Sequence, residues 1–378
     1  MNLKFLKRIT PVILILLFSI GCSQGQSQQQ PKPDLEIMAG QMVMAGFNGF
    51  QISDTSHIVR DITEYHAGGV ILFDYHVPES SPNRNIENPQ QVESLIRDLQ
   101  MRSSIPLFIA VDQEGGRVAR LKPARGFPEH RSAEYLGTIQ IEDSTRFFAE
   151  TMAQTLSDLG FNVNFAPVVD LNVNPENPVI GMLGRSFSDS TAVVVDQASV
   201  FLEEFTSAGI LGVLKHFPGH GSAWNDSHVG MADVTDTWVQ SELEPYRQLI
   251  QRDLDFAVMT AHVLNRRLDP DWPATLSTEI QTGILRNDLG YDGLLFSDDM
   301  QMEAIRSYYG LRESISRAIQ AGVDVLVFAN NSVYNPDIVP EVTEIIIGLV
   351  EDGTLSENRI EESYHRIMNT KRSLGLLE

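Results

Sequence analysis

Cysteine is almost missing from this chain. Cys22 is the only one in 378 residues, so no disulfide can form within the chain. Positive charge is scarce as well: 28 Lys and Arg stand against 50 Asp and Glu, a net charge of −22. That deficit argues against nucleic-acid binding, which wants a basic footprint, and against electrostatic adhesion to anionic lipid. Long apolar runs are lacking too, and Val12–Ile20 is too short for a membrane span. No standard glycine-rich phosphate loop, cysteine cluster or G-x-S-x-G serine occurs, which removes the usual nucleotide-binding, zinc-finger and serine-hydrolase readings.

What remains is an ordinary globular composition, 42% hydrophobic and 21% charged. The N-terminus is set apart. Lys4, Lys7 and Arg8 precede the apolar run, and Ser19 and Gly21 lead into Cys22. Residues 1–22 read as an export signal. Ser19-Ile20-Gly21-Cys22 resembles a bacterial lipobox, with Ser19 where Leu is usual. The expectation is a lipidated Cys22 and an exported chain held at a bacterial membrane, on the periplasmic side or the cell surface. An uncleaved anchor helix is the alternative. Residues 23–33, rich in Gln, Ser and Pro, cannot bury much apolar surface and read as a tether.

From Asp34 onward, short apolar runs alternate with amphipathic stretches. The runs are Met42–Phe47, Gly69–Phe73, Leu107–Val111, Asn162–Ala166, Gly212–His216, Phe256–Thr260, Leu294–Ser297 and Asp324–Phe328. They lack clean alternation, as strands covered on both faces do. Gln90–Arg102, Ile141–Leu159, Thr191–Ala208, Glu242–Arg252, Ser277–Asp288 and Tyr309–Ala321 show spacing near 3.6 between them. One or two further helices are expected over Ile338–Leu374. Eight strand–helix units imply an α/β fold with a parallel sheet closed as a (β/α)8 TIM barrel, one catalytic domain over residues 34–378. A doubly wound open sheet fits the pattern less well.

Polar residues fall where such a barrel keeps its chemistry, at the strands' C-terminal ends. Asp112, Asp170, Lys215 with His216, His262, Asp298 and Asn330 follow six of the eight runs. In Asp112–Arg117 a buried strand runs into acids, paired glycines and a base, which suits a carboxylate aimed at a polar ligand. Lys215-His216-Phe217-Pro218-Gly219-His220-Gly221 ends a strand in an irregular loop. Asp226 and His228 stand two apart on that loop. Such spacing lets a carboxylate orient an imidazole and raise its basicity, as a proton shuttle requires. Asp298 stands nearest the end of the seventh run, and Asp299 suits a cap or a backbone contact. Arg185 could bind hydroxyls or pair with a barrel acid. Solvated N-cap acids would produce the same residue types at Asp112 and Asp298. One carboxylate nucleophile and one Asp-supported His nevertheless fit displacement at a sugar anomeric carbon.

At these residues the chain resembles family-3 glycoside hydrolases. The motifs are Asp112–Arg117, Gly184–Phe187, Lys215–Gly221, Asp226–His228, Pro273–Ser277 and Ser297–Met300. The nearest subgroup is the β-N-acetylglucosaminidases, many of which trim muropeptides and chitin-type fragments. The resemblance implies a retaining hydrolase of terminal N-acetyl-β-D-glucosamine acting through a glycosyl-Asp298 intermediate. It implies His228 as acid/base held by Asp226, and Asp112, Arg185, Lys215 and His216 on sugar hydroxyls. It implies a carbohydrate substrate and no metal or cofactor; the oligomeric state is left open by the sequence, with a monomer favoured. One departure is Ser222-Ala223-Trp224, where relatives often carry Asp-Thr, and it bears on the aglycone. Two other chemistries stay open: a β-glucosidase or glycoside phosphorylase of the same family, and a metal-dependent barrel hydrolase using His216, His220, His262 and Asp298. A lipid-anchored sugar-binding protein without activity is the reading from outside enzymology.

Overall fold

A strand covered on both faces needs apolar residues at consecutive positions, and eight short segments meet that condition. In this computed structural model, which describes residues 33–252 and 254–377, they are β1 (Val43–Gly46), β2 (Gly69–Leu72), β3 (Phe108–Val111), β4 (Val163–Asn164), β5 (Leu211–Phe217), β6 (Ala257–Thr260), β7 (Leu295–Phe296) and β8 (Leu326–Phe328). Every residue in all eight is buried. The export signal, Cys22 and all of the tether but Pro33 lie outside the described residues.

The strands are parallel, in the order β7-β6-β5-β4-β3-β2-β1-β8. β1 pairs with β2 on one side and with β8 on the other, Val43 opposite Leu326. A bridge between Phe296 and Val325 joins the two ends and closes the ring. The architecture is the expected (β/α)8 barrel, with each strand within two residues of its expected bounds.

The covering helices follow from pattern and caps. Pro89–Arg102 begins with Asn88 accepting from the Gln91 amide and Pro at its start. It buries Val92, Leu95, Ile96 and Leu99, one face of a 3.6-residue repeat. The expected helix over Glu242–Arg252 is divided. A 3-10 turn, Gln240–Leu243, precedes an α-helix, Glu244–Ile250, because Pro245 lacks an amide and is placed best in a first turn. The expected stretch Ser277–Asp288 is a π-helix over Glu279–Asp288. The tail forms two helices, Ile338–Glu351 and Glu357–Ser373.

Aromatic rings fill the barrel. Phe296 meets Phe165 and Phe108 edge to face at 5.5 and 6.2 Å. Beneath them, at the strands' N-terminal ends, Lys371 enters from the last helix. Its Nζ donates to Gln41 Oε1 and to the Gly68 carbonyl at 2.7 and 3.0 Å and lies 4.9 Å from the Phe108 ring centre. Lys371 thus fills this end of the barrel, opposite the strand ends where the polar residues fall. Among the described residues no helix is long and apolar enough to cross a membrane.

Candidate active site

The loops after the strands enclose a cavity of about 320 Å³. Asp112, Arg185, Lys215, His216, Asp226, His228 and Asp298 all line it, so the structure brings the seven expected site residues together. They arrive from β3, the β4 loop, β5 and its following loop, and the end of β7.

One wall is a buried ion network. Lys215 Nζ lies 2.8 Å from Asp112 Oδ1 and 2.7 Å from Glu114 Oε1. Glu114 is gripped from its other side by Arg185, Nε to Oε2 at 2.8 Å and Nη2 to Oε1 at 2.7 Å. Arg120 adds a contact to Asp112 Oδ2 at 3.3 Å. Burial alone would raise both carboxyls. Lys215 and Arg120 at Asp112, and Arg185 and Lys215 at Glu114, outweigh it and hold both below the usual carboxylate range. These acids and bases are thus charged, fixed, and able to offer directional hydrogen bonds to hydroxyls.

Asp170 organises the next element. Its Oδ2 accepts from His216 Nδ1 at 2.7 Å, and its Oδ1 accepts from the backbone amides of His216 and His220 at 3.2 and 2.8 Å. Giving its Nδ1 proton to Asp170, His216 keeps Nε2 as an acceptor, 3.3 Å from Arg185 Nη2. Both nitrogens of His262 are also occupied, by Thr275 Oγ1 at 2.8 Å and the Asp299 carbonyl at 2.9 Å. A ring spent in this way has no lone pair for a metal, which counts against the metal-hydrolase alternative. Among the described residues no group of three or more acids and imidazoles has metal-holding geometry.

Two adjacent acids behave differently. Burial works to raise Asp298, but the imidazoles of His262, His216 and His228 and the Asp299 amide hold its carboxyl below the usual range. At Asp299 burial, with the neighbouring Asp298 charge, outweighs the amides and the imidazole that stabilise its anion, and the carboxyl is pushed up to about 6. Its Oδ1 accepts from the amides of Gln301 and Ala329, the backbone contact expected of it. Asp298 is therefore the ionised carboxylate at the cavity floor.

Above it stands His228. Its Nδ1 lies 2.7 Å from Asp226 Oδ1, which also accepts the His228 amide at 2.8 Å. The hydrogen bond that its Nδ1 donates to Asp226 raises the imidazole's proton affinity, against partial burial and with help from the Asp298 charge. Nε2 remains for a ligand. An anionic carboxylate and an imidazole held ready to give a proton therefore share one cavity.

Glu114, Arg120 and Asp170 were not assigned roles from sequence. Glu114 lies inside the Asp112–Arg117 motif, and Asp170 is marked in the sequence by its place after a strand. For Arg120 no local signal exists, because its partner is eight residues away across a small hairpin formed by Gln113–Gly115 and Val118–Ala119.

Replacing Glu114 by Gln leaves Lys215 and Arg185 with one carboxylate fewer. A stability loss of about 3 kcal/mol is expected in urea at neutral pH. Because Glu114's folded value lies below its unfolded one, its contribution is complete above about pH 4.3 and fades as pH falls through the folded value. The gap between Glu114→Gln and the parent should thus narrow on acidification. Equal stability at neutral pH would contradict the ion network's role.

The chain matches the Glycosyl hydrolase family 3 N terminal domain over residues 34–370. Beta-hexosaminidase A of Pseudoalteromonas piscicida is 34% identical to it, covering 83% of this chain and 54% of that protein. Beta-hexosaminidase LpqI of Mycobacterium tuberculosis is 32% identical, covering 85% and 79%. The solved structure of a family 3 β-N-acetylglucosaminidase from Paenibacillus sp. str. FPU-7 superposes with a TM-score of 0.83 at 36% identity, covering 91% of this chain and 63% of that one. The chain thus spans about half the length of the Pseudoalteromonas protein and under two thirds of the Paenibacillus one.

Proposed function

The chain belongs to glycosyl hydrolase family 3, and from that premise we propose that it is a retaining β-N-acetylhexosaminidase. It removes terminal non-reducing N-acetyl-β-D-glucosamine from cell-wall or chitin-type oligosaccharides. The observation that carries the reading is the pairing of Asp298, held ionised, with the Asp226–His228 couple on the same cavity.

The chemistry runs in two steps. One Asp298 oxygen attacks the anomeric carbon while His228 Nε2 gives its proton to the departing glycosidic oxygen. The C–O bond breaks, and a glycosyl ester of Asp298 forms. The now neutral His228 then takes a proton from a water that attacks the same carbon, releasing the sugar and restoring the Asp298 carboxylate. Asp226 supports the imidazolium before the first step and after the second. Asp112, Arg185, Lys215 and His216 hold the sugar hydroxyls, Asp112 and His216 accepting and the cations donating. Their rigidity favours orientation at low entropic cost.

The reading extends to location. A lipidated Cys22 would hold the protein at a membrane, and residues 23–33 would let it reach polymer nearby as a monomer needing no macromolecular partner. The basic residues before Val12–Ile20 and the small residues before Cys22 support this.

The test of the sugar is the hydrolysis of an aryl N-acetyl-β-glucosaminide beside the matching aryl β-glucoside. A preference of at least tenfold in kcat/KM for the acetamido sugar is expected, and equal rates would point to a β-glucosidase. His228→Ala should lower kcat/KM by two orders of magnitude or more on glycosides with poor leaving groups, and far less on activated ones that need no proton. Equal losses would remove His228 from the acid role. In a bacterial host Cys22→Ala should move the protein from the membrane fraction to the soluble exported one. Unchanged membrane association would refute the anchor.

A further inference from the structure

Between the two members of the acid/base couple sits a residue that the reaction does not use. Asp226 is partly exposed and His228 is half exposed, yet Ser227 is buried at 2%. Its side chain turns away from solvent to His220, whose Nε2 lies 3.2 Å from Ser227 Oγ. His220 is itself buried at 2%. Its amide donates to Asp170 Oδ1, the carboxylate that also orients His216, and its ring meets the His216 ring edge to face at 5.9 Å. The Ser227 carbonyl accepts from the Ala304 amide at 3.3 Å, on the segment that follows Asp298. One serine therefore touches both the β5 loop that carries His228 and the β7 loop that carries Asp298.

We propose that Ser227 is a positioning residue, whose clasp on His220 and Ala304 fixes where His228 stands relative to Asp298. The inference rests on the hydrolase reading above. Its logic is geometric. The Asp226–His228 couple is internally rigid, but a rigid couple on a free loop could not hold Nε2 near one glycosidic oxygen. The Asp226 contacts come from within the same three residues and orient the ring only against its own backbone. Ser227 ties the couple to the start of its own loop through His220, which Asp170 anchors, and to the β7 loop through its carbonyl and the Ala304 amide. General acid catalysis demands hydrogen-bond reach, so a shift of about an ångström would matter.

The state of His220 suits the task. Burial, then the neighbouring His216, pushes its imidazole down to about 4, so it is neutral where the enzyme works. Its Nδ1 has no hydrogen-bond partner among the described residues. A buried N–H without a partner is the costlier defect. The favoured tautomer thus carries its proton on Nε2 and donates to Ser227 Oγ. Losing that acceptor would leave the ring with no side-chain partner at all.

The experiment compares wild type, Ser227→Ala, His220→Phe and the double variant in the full chain. The phenyl ring keeps the shape and the edge-to-face contact while removing the nitrogen. Two substrates are used, a dinitrophenyl and a methoxyphenyl N-acetyl-β-glucosaminide. Each single variant should lose on the order of tenfold in kcat/KM on the methoxyphenyl glycoside and less than about twofold on the dinitrophenyl one, as loss of one hydrogen bond with a stranded partner predicts. The double variant should be no worse than either single one. Equal losses on both substrates, no loss on either, or additive losses would overturn the clasp while leaving the hydrolase reading intact. Wild-type protein that cleaves neither glycoside would overturn both. Should Ser227→Ala not fold, His220→Phe carries the same substrate comparison alone.

Discussion

A lysine ammonium in a protein interior is costly unless anions stand beside it, and Lys215 is met by two. That requirement orders the upper face of the barrel. Asp112 comes with the end of β3, and Glu114 follows two residues later. Glu114 then needs more positive charge than Lys215 alone provides, and Arg185 supplies it from the loop after β4. Three separate parts of the chain are thereby fixed to one another by the electrostatic need to leave no charge unpaired. The rigidity that sugar recognition requires is a by-product of that need.

The remainder of the site is organised around imidazole tautomers. Asp170 sets His216, Thr275 and the Asp299 carbonyl set His262, and Asp226 sets His228. On His216 and His228 one nitrogen is committed to a carboxylate, which decides the identity of the other before a ligand arrives, whereas both nitrogens of His262 are occupied. Of the three, His228 alone stands half in solvent. Asp298 sits among all three and stays anionic, whereas at Asp299, one residue on, burial outweighs the backbone amides that stabilise its anion and pushes it up to about 6. Burial alone does not distinguish these two acids. Their nearest polar neighbours do.

Much of this was legible in the residues. Strands buried on both faces leave unbroken apolar runs, so all eight could be placed, and the acids and bases at their ends marked the functional face. Asp226 and His228 could be paired because two-residue spacing on a bent loop brings the side chains together. Less visible were short helices such as His57–Thr63 and Ala133–Ile139, whose two turns are too brief for a periodic signal. The division of Glu242–Arg252 was available in principle from Pro245. Asp170 and Arg120 could not be assigned partners, since His216 lies 46 residues from the first and the Asp112–Arg120 contact depends on a hairpin. Pairings across the barrel are properties of the closed ring and have no local trace in the chain.

Closure of that ring has a temporal consequence. β1 is hydrogen-bonded to β8, nearly three hundred residues later, and the floor is stopped by Lys371 from the final helix. Until β8 and the helix Glu357–Ser373 are available, the growing sheet has two open edges and an uncovered underside. Pairing between the first and last strands is a long-range contact that waits on closure of a very long loop, and contacts of that kind slow folding. Partly made chains would expose strand edges able to pair with one another. The barrel is a structure that exists only when complete, and a cell that makes it must keep the unfinished chain from pairing with its own copies.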